Sequence, residues 1–423
     1  MKDSQRWNRR DFIIKPAALL AASHLLGDSK LLFGQKANTG PNAIQPALDS
    51  KPIHRTLGKT GITLPIVSMG VMNADVPGLV RRSYEIGIRH FDTAAHYQEG
   101  RNEEMVGSMI KEMGVRDKVV ISTKILRPEY SREQGTVTQS HTPNPAEVKA
   151  HFLDAFDGCL KRLQMDYVDI LYNHSCDSEA DIGSEGALEA LTAIKKSGKA
   201  RFVGVSSHRP ELVLRQAIRL GAYDVVLTTI NFTMAENQEM MGAIDDAAKS
   251  GIGVIAMKTQ AGGTMRPDPR LAKPLPPATQ TALLKWVLHH GSITTAIPGY
   301  TTYEQMEQNF SVASNLTYTP AEEQFLSDAT VVADAQFCRQ CGQCQSDCPA
   351  GVDIPNLMRS HMYAVQYANY ALAARTMATI AWDQGLDACS GCGSCVAKCR
   401  NAVNIAMKIQ SLKEIASIGR LTA

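Results

Sequence analysis

Eight of the ten cysteines in this 423-residue chain fall between Cys338 and Cys399. They form two copies of one spacing, CRQCGQCQSDCP at 338–349 and CSGCGSCVAKC at 389–399, each C-x2-C-x2-C-x3-C, with proline following only the first. Three thiolates at two-residue gaps in one tight loop can seat three corners of an iron–sulfide cube, which is chemistry for moving single electrons. Zinc is the first competing reading, but its four ligands generally come as two separated pairs. Disulfides are the second, and they suit a compartment outside the cytoplasm. Two complete copies favour iron. Cys159 and Cys176 are left over and read as a buried helix residue and a loop thiol.

A second constellation lies upstream. Asp92, Tyr97, Lys124 and His174 stand at or just beyond the ends of short β-branched runs: HFDTA at 90–94, VVISTK at 119–124 and YVDILYNH at 167–174. The runs belong to a longer series, with IVSMG at 66–70 before them and ARFVGVSS at 200–207, YDVVLTTIN at 223–231, GVIAMKT at 253–259 and TTAIPG at 294–299 after. Helical stretches alternate with them, among them PGLVRRSYEIG, NEEMVGSMIKEMG, PAEVKAHFLDAFDGCLKRL and EQMEQNFSVA. Eight strands each followed by a helix predict an α/β fold, a (β/α)8 TIM barrel. A doubly wound open sheet is the runner-up, but no GxGxxG follows the first strand. A barrel gathers its chemistry at the C-terminal ends of its strands, so the four polar residues should share one rim. Singly, each has a bland explanation: a helix cap, a half-buried aromatic, a salt-bridged strand end, a satisfied core histidine. Together on one rim they are hard to dismiss.

The remaining composition bounds the rest. Lys and Arg total 44 against 42 Asp and Glu, a net charge of +2 that gives no pull toward nucleic acid. Beyond the first thirty residues no apolar run reaches the roughly 18 needed to span a bilayer. The predicted organisation is a leader over 1–33, a polar linker over 34–52, a barrel over 53–330 and a cysteine domain over 335–423. Within the last, the residues between the two motifs carry Ala, Met and Tyr at helical spacing, read as helix-packing core rather than a further cofactor site. The polar insert at 127–147 is expected to line the substrate mouth.

Over nearly all of 53–325 the chain resembles the aldo-keto reductase family. RTLGKTGITLPIVSMG is similar to that family's opening hairpin and first strand, IRHFDTAAHY to its Asp-and-Tyr motif, ISTK to its lysine strand and DILYNHS to its histidine strand. The resemblance implies a catalytic tetrad of Asp92, Tyr97, Lys124 and His174. A free tyrosine, pKa about 10, is a poor acid at neutral pH. The neighbouring ammonium of Lys124, held by Asp92, is expected to lower that value, with His174 donating to the same carbonyl oxygen. Hydride would come from a nicotinamide across the mouth. Its contacts are implied at Ser206, Ser207, Met257, Pro298, Gly299 and Asn309. Ser207 replaces the family's usual Asn and Met257 a stacking aromatic, while Gly299 and Gln305 stand where basic residues often meet the NADP 2′-phosphate. The choice between NADP and NAD stays open.

The cysteine motifs resemble those of bacterial two-cluster ferredoxins, and the long helical spacer resembles the α-helical type. On that likeness two 4Fe–4S clusters form with crossed ligation: Cys338, Cys341, Cys344 and Cys399 for one, Cys389, Cys392, Cys395 and Cys348 for the other. The N-terminus, with Arg9, Arg10, Phe12, Ile13 and Lys15, resembles a twin-arginine export signal, the competing reading being an amphipathic helix. That implies a periplasmic protein, membrane-tethered if the signal is uncleaved, with no membrane span after it. The expected function is an oxidoreductase acting on a small carbonyl or alcohol substrate, with a separate electron-transfer protein as partner. The alternative is an idle barrel serving as scaffold for an electron-transfer or binding subunit.

Overall fold

The computed structural model describes residues 51–128, 143–261, 277–327, 337–381, 383–392, 395–419 and 421. The leader, nearly all of the linker and residues 129–142 of the polar insert lie outside the described residues.

The chain enters through an antiparallel hairpin, β1 (His54–Thr56) and β2 (Thr63–Pro65), with His54 opposite Pro65. Eight parallel strands follow: β3 (Met69–Gly70), β4 (His90–Asp92), β5 (Val120–Ile125), β6 (Val168–Asn173), β7 (Ala200–Ser207), β8 (Val225–Thr229), β9 (Gly253–Met257) and β10 (Thr295–Ala296). Each pairs with the next in order. Bridges between Val67 and Ala296 and between Gly70 and Gly299 join the last strand to the first. The sheet is therefore a nearly closed barrel, and all eight expected runs are its strands.

Both faces of these strands are buried, which explains why they read as unbroken apolar runs rather than alternating ones. Ile170, Tyr172, Val225, Leu227 and Ile255 point into the barrel. Leu171, Val226, Val254 and Ala256 point out to the helices. Leu57, Ile62 and Leu64 of the hairpin join the inner set and plug the barrel floor. The plug presses so closely on the start of β9 that a Cβ on Gly58, at φ +50°, would stand 2.4 Å from the Gly251 carbonyl oxygen. Only glycine fits there.

The outer helices begin where local chemistry starts them. Pro77, Pro145 and Pro210 open α1 (Pro77–Ile86), α3 (Pro145–Leu163) and α6 (Pro210–Leu220), a position where the missing N–H costs nothing. Asn144 and Glu147 close a capping box at the head of α3.

After 327 the chain resumes at 337 as a small, mostly helical unit. Its helices are Ile354–His361, Tyr370–Met377 and Ile405–Ser417, started by the side chains of Asp353, Asn369 and Asn404. The first continues into a π-helical turn over Met362–Gln366. This unit lies on the C-terminal rim of the barrel. Asn369 bonds Asn73 beyond β3, Arg375 donates to the His96 carbonyl beyond β4, Arg359 meets Asp177 beyond β6 and His208 beyond β7, and Tyr363 meets Lys258 beyond β9. The cysteine domain is a roof over the mouth. No described helix is long and apolar enough to cross a membrane.

Candidate active site and cysteine centres

Asp92 ends β4 and Lys124 lies near the end of β5, strands that pair side by side. Both side chains are almost wholly buried, and two lone charges there would be costly. They meet each other: the Lys124 ammonium donates to Asp92 Oδ1 and, at 2.6 Å, to the Thr93 carbonyl. The other Asp92 oxygen accepts the Ser122 hydroxyl at 2.6 Å. Having given its proton away, Ser122 must accept from His90 Nε2, 2.9 Å off, which sets the tautomer of that buried ring.

The Tyr97 ring follows β4, with the Lys124 ammonium 5.0 Å from its centroid. Its other side faces His174, just past β6, with ring centroids 6.0 Å apart and planes at 76°. Three strands thus bring Asp92, Tyr97, Lys124 and His174 to one place. A cavity of about 70 Å³ opens there, walled by Asp92, Tyr97 and Lys124 together with Met257, Pro298 and Gly299. Ser206, Ser207 and Asn309 are not among its walls and are held by the chain itself. Ser206 Oγ accepts the Ser175 N–H at 3.0 Å, which leaves its own proton to donate. The Ser207 hydroxyl is fully used, donating to Asp177 at 3.0 Å and accepting from the Arg209 N–H at 3.0 Å. Asn309 Oδ1 accepts from Gln260, a cavity residue, at 2.7 Å.

The electrostatics depart from the expected lowering of the Tyr97 pKa. Burial pushes this phenol well above its usual range, reinforced by the Asp92 charge and by Tyr363 and Tyr367 from the roof. Desolvation outweighs the nearby ammonium. The same burial lowers Lys124, opposed by Asp92.

Sequence reasoning passed over several residues here. His96 packs against His174 with ring centroids 4.8 Å apart and planes tilted by 40°. Lys258, at φ +54°, reaches into the cavity and donates to Tyr363 Oη at 3.2 Å. Asp177, His208 and Arg359 form the clamp under the roof. Arg359 donates to Asp177 at 3.0 Å and to His208 Nδ1 at 2.6 Å. A guanidinium can only donate, so His208 Nδ1 accepts and the imidazole is neutral. Burial and Arg359 accordingly take His208 down to about 4. The ties run between segments far apart in sequence, so no local motif signals them.

The cysteines gather in two sets. Cys338 lies near Cys399, Cys344 and Cys341, and burial followed by those neighbours pushes its thiol up to about 12. Cys348 lies with Cys389, Cys392 and Cys395 around a cavity of about 410 Å³. No three His, Cys, Asp or Glu among the described residues close around a single ion. A cavity of that size leaves room for an inorganic group larger than a single ion, whose positive charge would also reverse the thiol shift.

Burial sets a testable pH dependence. It lowers His90 and His208 to about 4, His96 to about 3 and His174 well below the ordinary range. Between those values and the unfolded value of about 6.5 the unfolded chain binds more protons, so stability is lost as the pH falls through that window. Each ring contributes on the order of 1 kcal/mol per pH unit there. Thermal melts should be flat above about pH 7.5 and drop steeply from about 6.5 to 4.5. A melting temperature unchanged across that window would mean the folded imidazoles take up protons freely.

Comparison with known proteins accords with this geometry. The Aldo/keto reductase family pattern matches residues 67–281, just over half of the chain, and the 4Fe-4S dicluster domain pattern matches 330–400. L-glyceraldehyde 3-phosphate reductase of Escherichia coli K12 is 26% identical over 321 residues, covering 64% of this chain and 90% of that protein. L-galactose dehydrogenase of Arabidopsis thaliana is 25% identical over 314 residues, covering 66% and 94%. Aldo-keto reductase AKR11C1 from Bacillus halodurans superposes with a TM-score of 0.53 at 24% identity, over 66% of this chain and 97% of that one, and shares its fold. With the family pattern running through the barrel from the approach to β3 as far as the helix before β10, this chain belongs to the aldo/keto reductase family.

Proposed function

We propose that this NAD(P)-dependent oxidoreductase, an aldo/keto reductase with iron–sulfur centres, interconverts a small hydroxylated carbonyl and its alcohol at the mouth walled by Asp92, Tyr97 and Lys124. The observation that carries the reading is the convergence of four polar side chains from the ends of three strands at one place. Asp92 and the Thr93 carbonyl hold Lys124 charged and oriented. Tyr97 is the acid. Its raised pKa keeps the proton on the phenol until the carbonyl oxygen develops alkoxide character, and an alkoxide is a far stronger base than a phenolate. Neutral His174 donates its ring N–H to the same oxygen, completing an oxyanion site. Nicotinamide supplies the hydride that no side chain can. Met257, Pro298 and Gly299 would wall it, and the free Ser206 proton would reach its amide. The substrate class follows the printed names of the two relatives, one a sugar phosphate reductase and one a sugar dehydrogenase.

The two cysteine sets are proposed to hold two 4Fe–4S clusters with crossed ligation, which supply one-electron transfer to a separate carrier protein. Export by the twin-arginine route is proposed for a physical reason. Clusters are assembled inside the cell and need the fold around them, and a route that threads an unfolded chain would deliver bare thiols to an oxidising compartment.

Three measurements test this. Tyr97→Phe should lower single-turnover hydride transfer from NADPH or NADH to glyceraldehyde by about 10²- to 10⁴-fold, the usual share of a positioned acid. Equal rates would remove Tyr97 as the acid, and wild type that binds neither nicotinamide at millimolar levels would favour the scaffold alternative. Anaerobically purified protein should carry about eight iron atoms, and Cys348→Ser should damage the cluster seated by Cys389, Cys392 and Cys395. Loss instead at the cluster seated by Cys338 would show that each motif closes on itself. Replacing Arg9 and Arg10 together with Lys should trap folded, iron-loaded protein in the cytoplasm on cell fractionation. Periplasmic delivery of that variant would overturn the export route.

A further inference from the structure

Among the described residues, every wall of the reaction cavity belongs to the barrel except one, Tyr367 of the cysteine domain. Its ring is almost fully buried and lies close enough to Tyr97 to act on that phenol. Several independent constraints fix it. The preceding turn, Met362–Gln366, is π-helical, and the Tyr367 N–H closes it on the Met362 carbonyl at 3.3 Å. Such turns are uncommon and concentrate at functional positions, because they re-aim the side chains that follow. Ala368 then takes φ +48°, ending the helix directly after the ring. Tyr363, one turn back, packs on Tyr367 with centroids 5.8 Å apart. Its hydroxyl is in turn gripped by Lys258 from the barrel wall. Arg359 locks the same helix onto Asp177 and His208.

A surface helix that served only to pack would have no need of this. The roof spends a π turn, a left-handed alanine and a half-buried lysine contact on holding one aromatic ring near the catalytic phenol. We propose that Tyr367 is a substrate-contacting residue that limits the size of the group attached to the carbonyl, so that the iron–sulfur domain is part of the specificity pocket. The inference rests on the carbonyl-reducing reading above. The ring shares the cavity wall with Asp92, Tyr97 and Lys124, so the substituents of a carbonyl whose oxygen reaches Tyr97 share that small space with the Tyr367 ring. Small hydroxylated carbonyls fit beneath it, whereas bulky aryl carbonyls collide with it.

The test uses the full, iron-loaded chain and compares glyceraldehyde, propanal, benzaldehyde and 2-naphthaldehyde as substrates. In Tyr367→Ala the kcat/KM ratio of 2-naphthaldehyde to propanal should rise about tenfold or more, mainly through KM, while iron content and visible spectrum stay native. Tyr367→Phe should keep the wild-type size ranking, since the ring remains. A native iron content with an unchanged ranking in Tyr367→Ala would overturn the inference while leaving the catalytic reading intact. Should Tyr367→Ala lose iron, the ranking is read in Tyr367→Trp, where the larger ring should shift the ratio the other way, and an unshifted ratio overturns it. Wild type that turns over none of the four carbonyls would overturn the reading and the inference together.

Discussion

The mouth of this barrel is organised around one buried ion pair. Removing the Lys124 ammonium and the Asp92 carboxylate from water costs several kcal/mol each, and mutual attraction repays that only when every remaining donor and acceptor is met. The chain meets them with Ser122, with the Thr93 carbonyl and, one step further, with His90. The neighbourhood follows from the pair. Burial first, and the Lys124 cation with other neighbours after it, discourages His96 and His174 from charging, so both stay neutral. The neutral ring is the form that can donate to an oxygen without bringing a second full charge into a dry site. The Tyr97 ring centroid lies 5.0 Å from the same ammonium.

Above the pair the site is built by two domains. Five of the loops that follow barrel strands are tied to the cysteine unit, through Asn73, His96, Asp177, His208 and Lys258. These ties are mostly hydrogen bonds between buried or half-buried groups, where an unmet partner is expensive and geometry is therefore well specified. Lys258 has a particular place among them. It walls both the reaction cavity and the cleft that contains Cys338, so one side chain touches the space of the hydride chemistry and that of a cysteine set.

Much of this was legible in the sequence because its causes are local. Strand runs such as VVISTK and YVDILYNH carry apolar residues on both faces, and the helical spacing of PAEVKAHFLDAFDGCLKRL marks the helix from Pro145 to Leu163. Asp92, Tyr97, Lys124 and His174 were visible because a barrel's topology converts strand-end position into shared location. What was not legible depends on contacts between distant segments. Nothing in NHSCD or SSHRP shows that Asp177 and His208 will be consumed by Arg359, some 150 residues on or more. The use of the Ser207 hydroxyl follows from that clamp. The shift of Tyr97 ran opposite to expectation for a related reason: its sign depends on how much water the roof removes, and the roof is a tertiary fact.

The roofing helix lies in the 40 residues between Cys348 and Cys389, two cysteines that line one cavity. Any group bound there through both cysteines would turn that stretch from an open segment into a closed ring. Closing a flexible ring of this size costs the unfolded chain about 3 kcal/mol of entropy, by the logarithmic rule for loops. In polymer terms the aromatic ceiling of the carbonyl site hangs from a clasp. Its steadiness would then depend on inorganic chemistry at the opposite end of the domain, without an electron having to move.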